Sequence, residues 1–193
     1  KKILLVNLSK GRLGDINANL IGLILVGKIL MAALSRVDMV GKEISPFYLY
    51  IDEFQNITTN SIAAILSEAR KYKLSLNIAH QFIAQLEEGI KDAVFGNVGS
   101  IAAFRVGADD AEYLEKQFEP VFTAKDIINL DNRNAYLKLL VEGRPVKPFN
   151  IETLPPPKGS AERIESIKQL SYMKFGRDRA EVEAEIMKKY QKA

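Results

Sequence analysis

Cysteine and tryptophan are both absent from this 193-residue chain, and histidine occurs once, as His80. Without cysteine there is no disulfide framework and no thiolate metal site, a composition that fits a reducing cytoplasm. One histidine excludes a histidine-rich metal cluster. An excess of one charge is also lacking. Twenty-seven Lys and Arg oppose 24 Asp and Glu, leaving a formal net charge of +3, which permits contact with phosphate backbones without specifying it. The phosphate-loop pattern GxxxxGK[ST] occurs nowhere. No signal peptide is expected, because Lys1-Lys2 leads into a strand-like run without a small-residue cleavage site. The one long apolar run, Leu20 to Leu34, is too short for a bilayer span and carries Lys28 in its middle. It reads as a largely buried helix packed on a sheet, and no transmembrane segment is expected.

What is present is an apolar content of 47%, enough for a sizeable core and against global disorder. The length suits one domain with a tail. The chain opens directly on an apolar strand at residue 3, which reads as a piece of something larger.

The stretch around which the rest is organised is PFYLYIDEFQ, Pro46 to Gln55. Phe47 to Ile51 form an apolar, β-favouring run of the kind found in strands buried on both faces of a parallel sheet. Asp52 and Glu53 follow at once. Paired acids are costly inside a core, but they suit the carboxyl end of such a strand, where open α/β sheets place ligands. This is the form of a Walker B element. Its first acid would hold Mg²⁺, directly or through water, and its second would orient or deprotonate an attacking water. The plainer reading is a strand running into an acidic turn, since the pattern is short.

Around it the chain alternates. Lys2 to Leu8 reads as a buried strand, then a glycine-bearing turn, then a helix capped by Asp15 or Asn17 and running to about Arg36. After the acids, Thr59 or Asn60 caps a helix to about Lys73, with Ile62, Ile65, Leu66 and Ala69 on its apolar face. Leu74 to Ala79 is the next strand and ends at His80-Gln81. A helix from Ile83 to about Phe95, a strand from Ser100 to Val106 and a helix from Asp109 to Phe118 follow. Thr123 caps one further turn. Ala135 to Val141 and Val146 to Ile151 form a hairpin around Glu142-Gly143, placed as an antiparallel edge on the parallel sheet. LPPP, Leu154 to Pro157, ends the compact part, and two charged helices, Ala161 to Phe175 and Arg179 to Tyr190, form a peripheral tail. The alternation predicts an α/β fold with a doubly wound, mostly parallel sheet.

Three further residues are candidates for chemistry. Gln81 lies at the carboxyl end of the strand after the acids, so it should reach the same crevice. An amide there can sense a γ-phosphate or hold a lytic water, or it can simply cap a helix. Arg70 lies at the far edge, away from its own acids, where a guanidinium can serve a neighbouring subunit's nucleotide or merely favour a helix C-terminus. Arg105, near the end of the Ser100–Val106 strand, is a candidate phosphate contact or a partly buried ion-pair residue. His80 is taken as structural.

PFYLYIDEFQNI, ILSEARKYKLSLNIAHQFIAQL and FGNVGSIAAFRVGADDAEYL together resemble the C-terminal half of the motor domain of HerA/FtsK-type ATPases, and most closely the type IV secretion coupling proteins of TraG/TraD type. The EARKYKLS…AHQ stretch is the specific part. The resemblance covers roughly residues 1–155 and implies a partial RecA-like ATPase domain lacking its Walker A element, followed by a linker and helical tail over 156–193. By this resemblance Asp52 and Glu53 are the Walker B acids, Gln81 is the sensor glutamine and Arg70 is the arginine serving the adjacent subunit. Arg105 matches less closely. The implied cofactors are ATP and Mg²⁺. The implied partners are DNA or a nucleoprotein, further copies of the chain in a hexameric ring, and type IV secretion machinery. The implied location is the cytoplasm or the cytoplasmic face of the inner membrane, reached through an anchor that, like the Walker A lysine, would lie upstream of Lys1. Two other readings stand beside this one: a non-catalytic ATPase-like scaffold that binds a partner, and a related motor that moves protein or pilus subunits.

Overall fold

A computed structural model describes residues 2–39, 43–58, 62, 66 and 68–191; the side chains of Asp38, Ala69 and Arg70 lie outside the description. The chain divides into two compact units, Lys1–Thr153 and Leu154–Ala193.

The first unit mixes α and β. A single helical turn, α1 (Lys10–Leu13), passes through Gly14 at φ +78° into α2 (Asp15–Leu34). Glycine is required there because the left-handed region penalises a Cβ. The helix α2 is apolar around most of its circumference, yet only Ala18, Gly22, Val26 and Ala33 are buried. These small or branched residues form the buried stripe, from which Val26 and Ala33 join the core around Ile51 and Leu74 while Gly22 meets Ile57 and Leu8; Ile16, Leu20, Ile24 and Met31 are exposed. The largely buried helix expected from composition is therefore buried along one stripe. By length and composition alone, Asp15–Val37 is long and apolar enough to cross a membrane.

Two parallel strands, β1 (Phe47–Ile51) and β2 (Leu74–Ile78), pair in register from Phe47 opposite Leu74 to Ile51 opposite Ile78. Burial of β1 is one-sided. Ile51 is buried, whereas Tyr48 and Tyr50 are 59% and 74% exposed, so the expectation of a strand covered on both faces does not hold. Among the described residues the apolar packing gathers on the side of Ile51, and the two tyrosine rings are left uncovered. Residues 2–9 form no strand, and Ile3, Leu4 and Leu5 are exposed; apolar content alone does not make a strand without a ladder partner.

The helix expected from Thr59 or Asn60 to Lys73 falls mostly outside the described residues. Within it Ile62 and Leu66 are helical, Ile62 is buried, and a 3₁₀ turn, Ala69–Tyr72, leads into β2. Arg36 ties this edge to α2 by donating to the carbonyls of Tyr72 at 2.6 Å and Lys73 at 3.4 Å.

After β2 come α3 (Glu88–Asn97), β3 (Ile101–Ala103), α4 (Ala108–Phe118) and α5 (Ala124–Ile128). Thr123 caps α5 in a reciprocal capping box with Asp126. β3 does not extend the parallel pair among the described residues. It pairs antiparallel with β4 (Asn134–Lys138), which pairs with β7 (Phe149–Glu152). The expected hairpin is present, interrupted so that β5 (Leu140–Val141) and β6 (Arg144–Pro145) pair by themselves at its tip. Glu142 and Gly143 make that turn with positive φ, as tight two-residue connections demand.

Two apolar clusters hold the unit together. One joins α2, β1 and β2 to α3 through Val26, Ile51, Phe54, Leu74 and Ile90. The other gathers α4 and α5 around Phe118 and Ile127, both fully buried. At the first, Gly22 permits close approach: a Cβ there would lie 2.6 Å from Ile57 Cγ2 and 3.2 Å from Leu8 Cδ1. The Ile57 methyl sits on a stiff β-branched carbon, so overpacking of about 1–3 kcal/mol outweighs the helix-propensity gain of about 1 kcal/mol. Gly22→Ala is accordingly expected to lower stability in urea unfolding; an unchanged or raised midpoint would show that α2 does not pack this closely.

The second unit consists of α6 (Ala161–Phe175), capped by Ser160, and α7 (Arg179–Tyr190), capped by Asp178. Neither helix has a buried residue. Their ion pairs, such as Arg179–Glu183 at 2.7 Å, are exposed and contribute little.

Candidate functional site

β1 and β2 are parallel, so their carboxyl ends lie side by side. The ladder continues one step beyond the strands: Ala79 N–H donates to Ile51 at 2.9 Å and Phe54 N–H donates to Ala79 at 3.0 Å. Between those two bonds the chain turns sharply. Glu53 takes a left-handed conformation, φ +51° and ψ +46°, which costs a non-glycine residue about 1–2 kcal/mol. Phe54 drives the turn. Its ring is fully buried, so the backbone must reverse within one residue of the exposed Asp52. Strained left-handed residues held in place by surrounding structure cluster at functional sites.

The consequence is a compact polar group. Gln81 Nε2 donates to Glu53 Oε1 at 2.7 Å, and Gln55 Nε2 donates to Glu53 Oε2 at 2.6 Å. Asp52 Oδ1 accepts the Glu53 N–H at 3.0 Å. Thus the structure brings Asp52, Glu53 and Gln81 together at one strand end. Glu53 and Gln55 are half-buried, while Asp52 and Gln81 are exposed. Gln55 is a member that the sequence pattern did not single out. Another is Lys10, whose ammonium donates to Asn56 Oδ1 at 3.1 Å and lies 3.4 Å from Asp15. It brings a cation from the glycine-bearing turn to the loop after the acids.

The remaining candidates lie elsewhere. Arg70 belongs to the 3₁₀ turn before β2, at the end of that strand opposite to Gln81; its side chain falls outside the described residues. The five residues of β2 put about 16 Å of extended backbone between the two ends. Arg105 follows β3, is exposed, and donates to Asn132 at 3.1 Å; no hydrogen bond or ion pair joins it to the acids among the described residues. His80 is half-buried, and its Nδ1 has no hydrogen-bond partner among the described residues. Burial holds its imidazole below the ordinary value, partly offset by a hydrogen bond to the Phe82 backbone and by the Asp110 carboxylate. Asp110 is itself buried and accepts the Ile83 N–H at 3.1 Å, pinning the segment after Gln81 to α4.

Among the described residues no group of three or more His, Asp or Glu side chains could hold a metal ion by itself. A single exposed carboxylate such as Asp52 does fit Mg²⁺, which keeps several waters and is bound through one or two carboxylates together with substrate phosphates.

Residues 46–117 match the family described as the TraM recognition site of TraD and TraG. This bears out the likeness to TraG/TraD-type coupling proteins carried by PFYLYIDEFQNI and EARKYKLS…AHQ. No curated protein matches the chain by sequence. Solved structures align with it, two of which are coupling proteins. One is the bacterial conjugative coupling protein TrwBdeltaN70 in an unbound form, with TM-score 0.49 and 21% identity over 63% of this chain and 35% of that one. The other is the plasmid coupling protein TrwB in complex with ADP and Mg²⁺, with TM-score 0.47 and 17% identity over 62% of this chain and 34% of that one. The chain spans about a third of the length of these proteins.

Proposed function

We propose that this chain is part of a conjugative coupling ATPase, a ring-forming motor that hydrolyses ATP to move DNA or a nucleoprotein into type IV secretion machinery. The observation that carries the reading is the strand-end group: Glu53 receiving the Gln81 amide at 2.7 Å beside the exposed Asp52. Residues 1–155 are then the C-terminal portion of a RecA-like domain without its Walker A element, and 156–193 a linker with a peripheral helical tail. In this reading the β1–β2 pair and the β3–β4–β7 sheet belong to one doubly wound sheet, completed by strands outside this chain.

The roles follow from position. Asp52 would hold Mg²⁺ against the phosphates, and the ion, when bound, supplies charge neutralisation. Glu53 accepts a proton from water as the water oxygen bonds to the γ-phosphorus and the β–γ bridging oxygen leaves with ADP. Gln81, now on Glu53, is placed to turn toward that water or the γ-phosphate. Arg70, at the opposite end of β2, acts on the neighbouring subunit's nucleotide, and Arg105 is a phosphate contact. An arginine acting in trans requires a head-to-tail contact, and such contacts close into rings; six subunits is the number proposed. DNA would be held mainly through its phosphates. The match to a TraM recognition site points to a TraM-type protein as a further partner, with the assembly at the cytoplasmic face of the inner membrane.

Without a glycine-rich loop and its lysine the β- and γ-phosphates lack their main cradle. A fluorescent ATP analogue titrated into the 193-residue chain is therefore expected to show no micromolar binding, and binding is expected to appear in a parent protein that carries GxxxxGK[ST]. Micromolar affinity for the chain alone would contradict the assignment of its missing cradle. A parent protein without such a loop would favour the scaffold reading.

A further inference from the structure

We propose that Gln55 is the positioning residue of the site, fixing Glu53 through Oε2 so that Oε1 alone exchanges partners. The inference rests on the functional reading above and adds a residue to it. Both Glu53 oxygens accept an amide N–H, at 2.6 Å from Gln55 and 2.7 Å from Gln81, and hydrogen bonds to a carboxylate at such distances are strong. Their surroundings differ. Gln55 lies in a 3₁₀ turn, Phe54–Ile57, whose two end residues are both buried. That turn is closed by Asn56 N–H to Glu53 at 3.0 Å, and the Thr58 hydroxyl donates to the Gln55 carbonyl at 3.3 Å. Gln81 is exposed, in a bend after β2. The first amide is thus held by the core and the second is open to exchange.

The Gln55 amide orientation supports the same conclusion. Its Oε1 is buried without a donor among the described residues, an arrangement that is unfavourable. Turning the amide over would set that oxygen against the Glu53 carboxylate. The local structure therefore leaves an oxygen unpaired to keep a donor on Glu53. The left-handed backbone at Glu53 aims the carboxylate, and Gln55 stops it rotating away. A base with one fixed oxygen presents the other at a defined place, and a misplacement of about 1 Å is enough to lose much of a catalytic rate.

The test uses side-chain NMR of the 193-residue chain. In Gln55→Met, similar in shape but without a donor, the Glu53 Hβ couplings are expected to average over rotamers; in Gln81→Met they are expected to stay at single-rotamer values. A single Glu53 rotamer in Gln55→Met, or equal averaging in both variants, overturns the proposal. Should Gln55→Met fail to fold, the wild-type chain and Glu53→Ala still decide. Exchange of the Gln55 amide protons is expected to speed up about tenfold when Glu53 is removed, and an unchanged rate overturns the proposal. In the parent protein, Gln55→Met is expected to lower kcat about tenfold with little change in KM. A parent that hydrolyses no ATP sinks the motor reading, while the NMR result continues to decide the role of Gln55.

Discussion

Glu53→Gln, made in a parent protein that carries the glycine-rich loop, lowers kcat for ATP hydrolysis about a hundredfold or more, with nucleotide affinity little changed. The substitution keeps the length and shape of the side chain and removes its capacity to take a proton from water. It also leaves the site assembled. A glutamine at this position has one oxygen and one NH₂ where Glu53 has two acceptors, so either the Gln55 or the Gln81 amide must turn to present its oxygen. Gln81 is exposed and turns at little cost, whereas Gln55 has its orientation set by its turn. Asp52→Asn is expected to behave differently. It weakens metal-dependent retention of nucleotide and so appears in KM as well as kcat. Steady-state hydrolysis over a range of ATP and Mg²⁺ concentrations separates the two patterns. A Glu53→Gln protein with kcat within about threefold of wild type would remove Glu53 from the chemistry.

How much of this was legible beforehand varies with the range of the forces involved. β1 and β2 could be read from short apolar runs, and the acids and Gln81 from their places at the ends of those runs. Once the strands pair in parallel, those ends must coincide. Gln55 could not be read in the same way. Its contact with Glu53 exists because Glu53 adopts φ +51°, and no local preference of glutamate announces a left-handed turn. The turn is imposed from outside by the burial of Phe54. The same distinction explains β3. Its apolar residues announce a strand, but whether it pairs with β2 or with β4 is decided by non-local hydrogen bonding, and β4 is the partner it has. Residues 2–9 and α2 show the opposite error. Their apolar residues suggested burial, yet burial needs a facing surface. Among the described residues that surface reaches only the stripe from Ala18 to Ala33. Arg105 was chosen by its place near a strand end, and it is bonded to Asn132 rather than to the acids among the described residues; Arg70 was expected at the edge away from the acids, and its turn lies there.

Phe54→Ala is expected to remove about 3–5 kcal/mol of stability, a large share of the 5–15 kcal/mol typical of a whole domain. The ring is 0% exposed and packs with Val26, Ile51, Ile57, Ile62 and Leu86, so truncation leaves a cavity that branched neighbours cannot collapse to fill. At an m-value of about 2 kcal/mol/M the urea midpoint falls by about 2 M. Phe118→Ala is the control. Phe118 is equally buried, in the separate cluster around α4 and α5, and its loss is expected to be of similar size. The two variants should part company at the site. Phe54 is the anchor that reverses the chain after Asp52, so its removal is expected to free Glu53 from the left-handed turn and release both glutamine amides. Phe118→Ala is expected to leave the contacts of Glu53 with Gln55 and Gln81 intact in whatever fraction remains folded. Side-chain amide spectra recorded below each variant's midpoint read this directly. If both variants lose stability equally and both keep those contacts, the strand-end turn is held by the β1–β2 ladder alone, and the core does not set the geometry of the site.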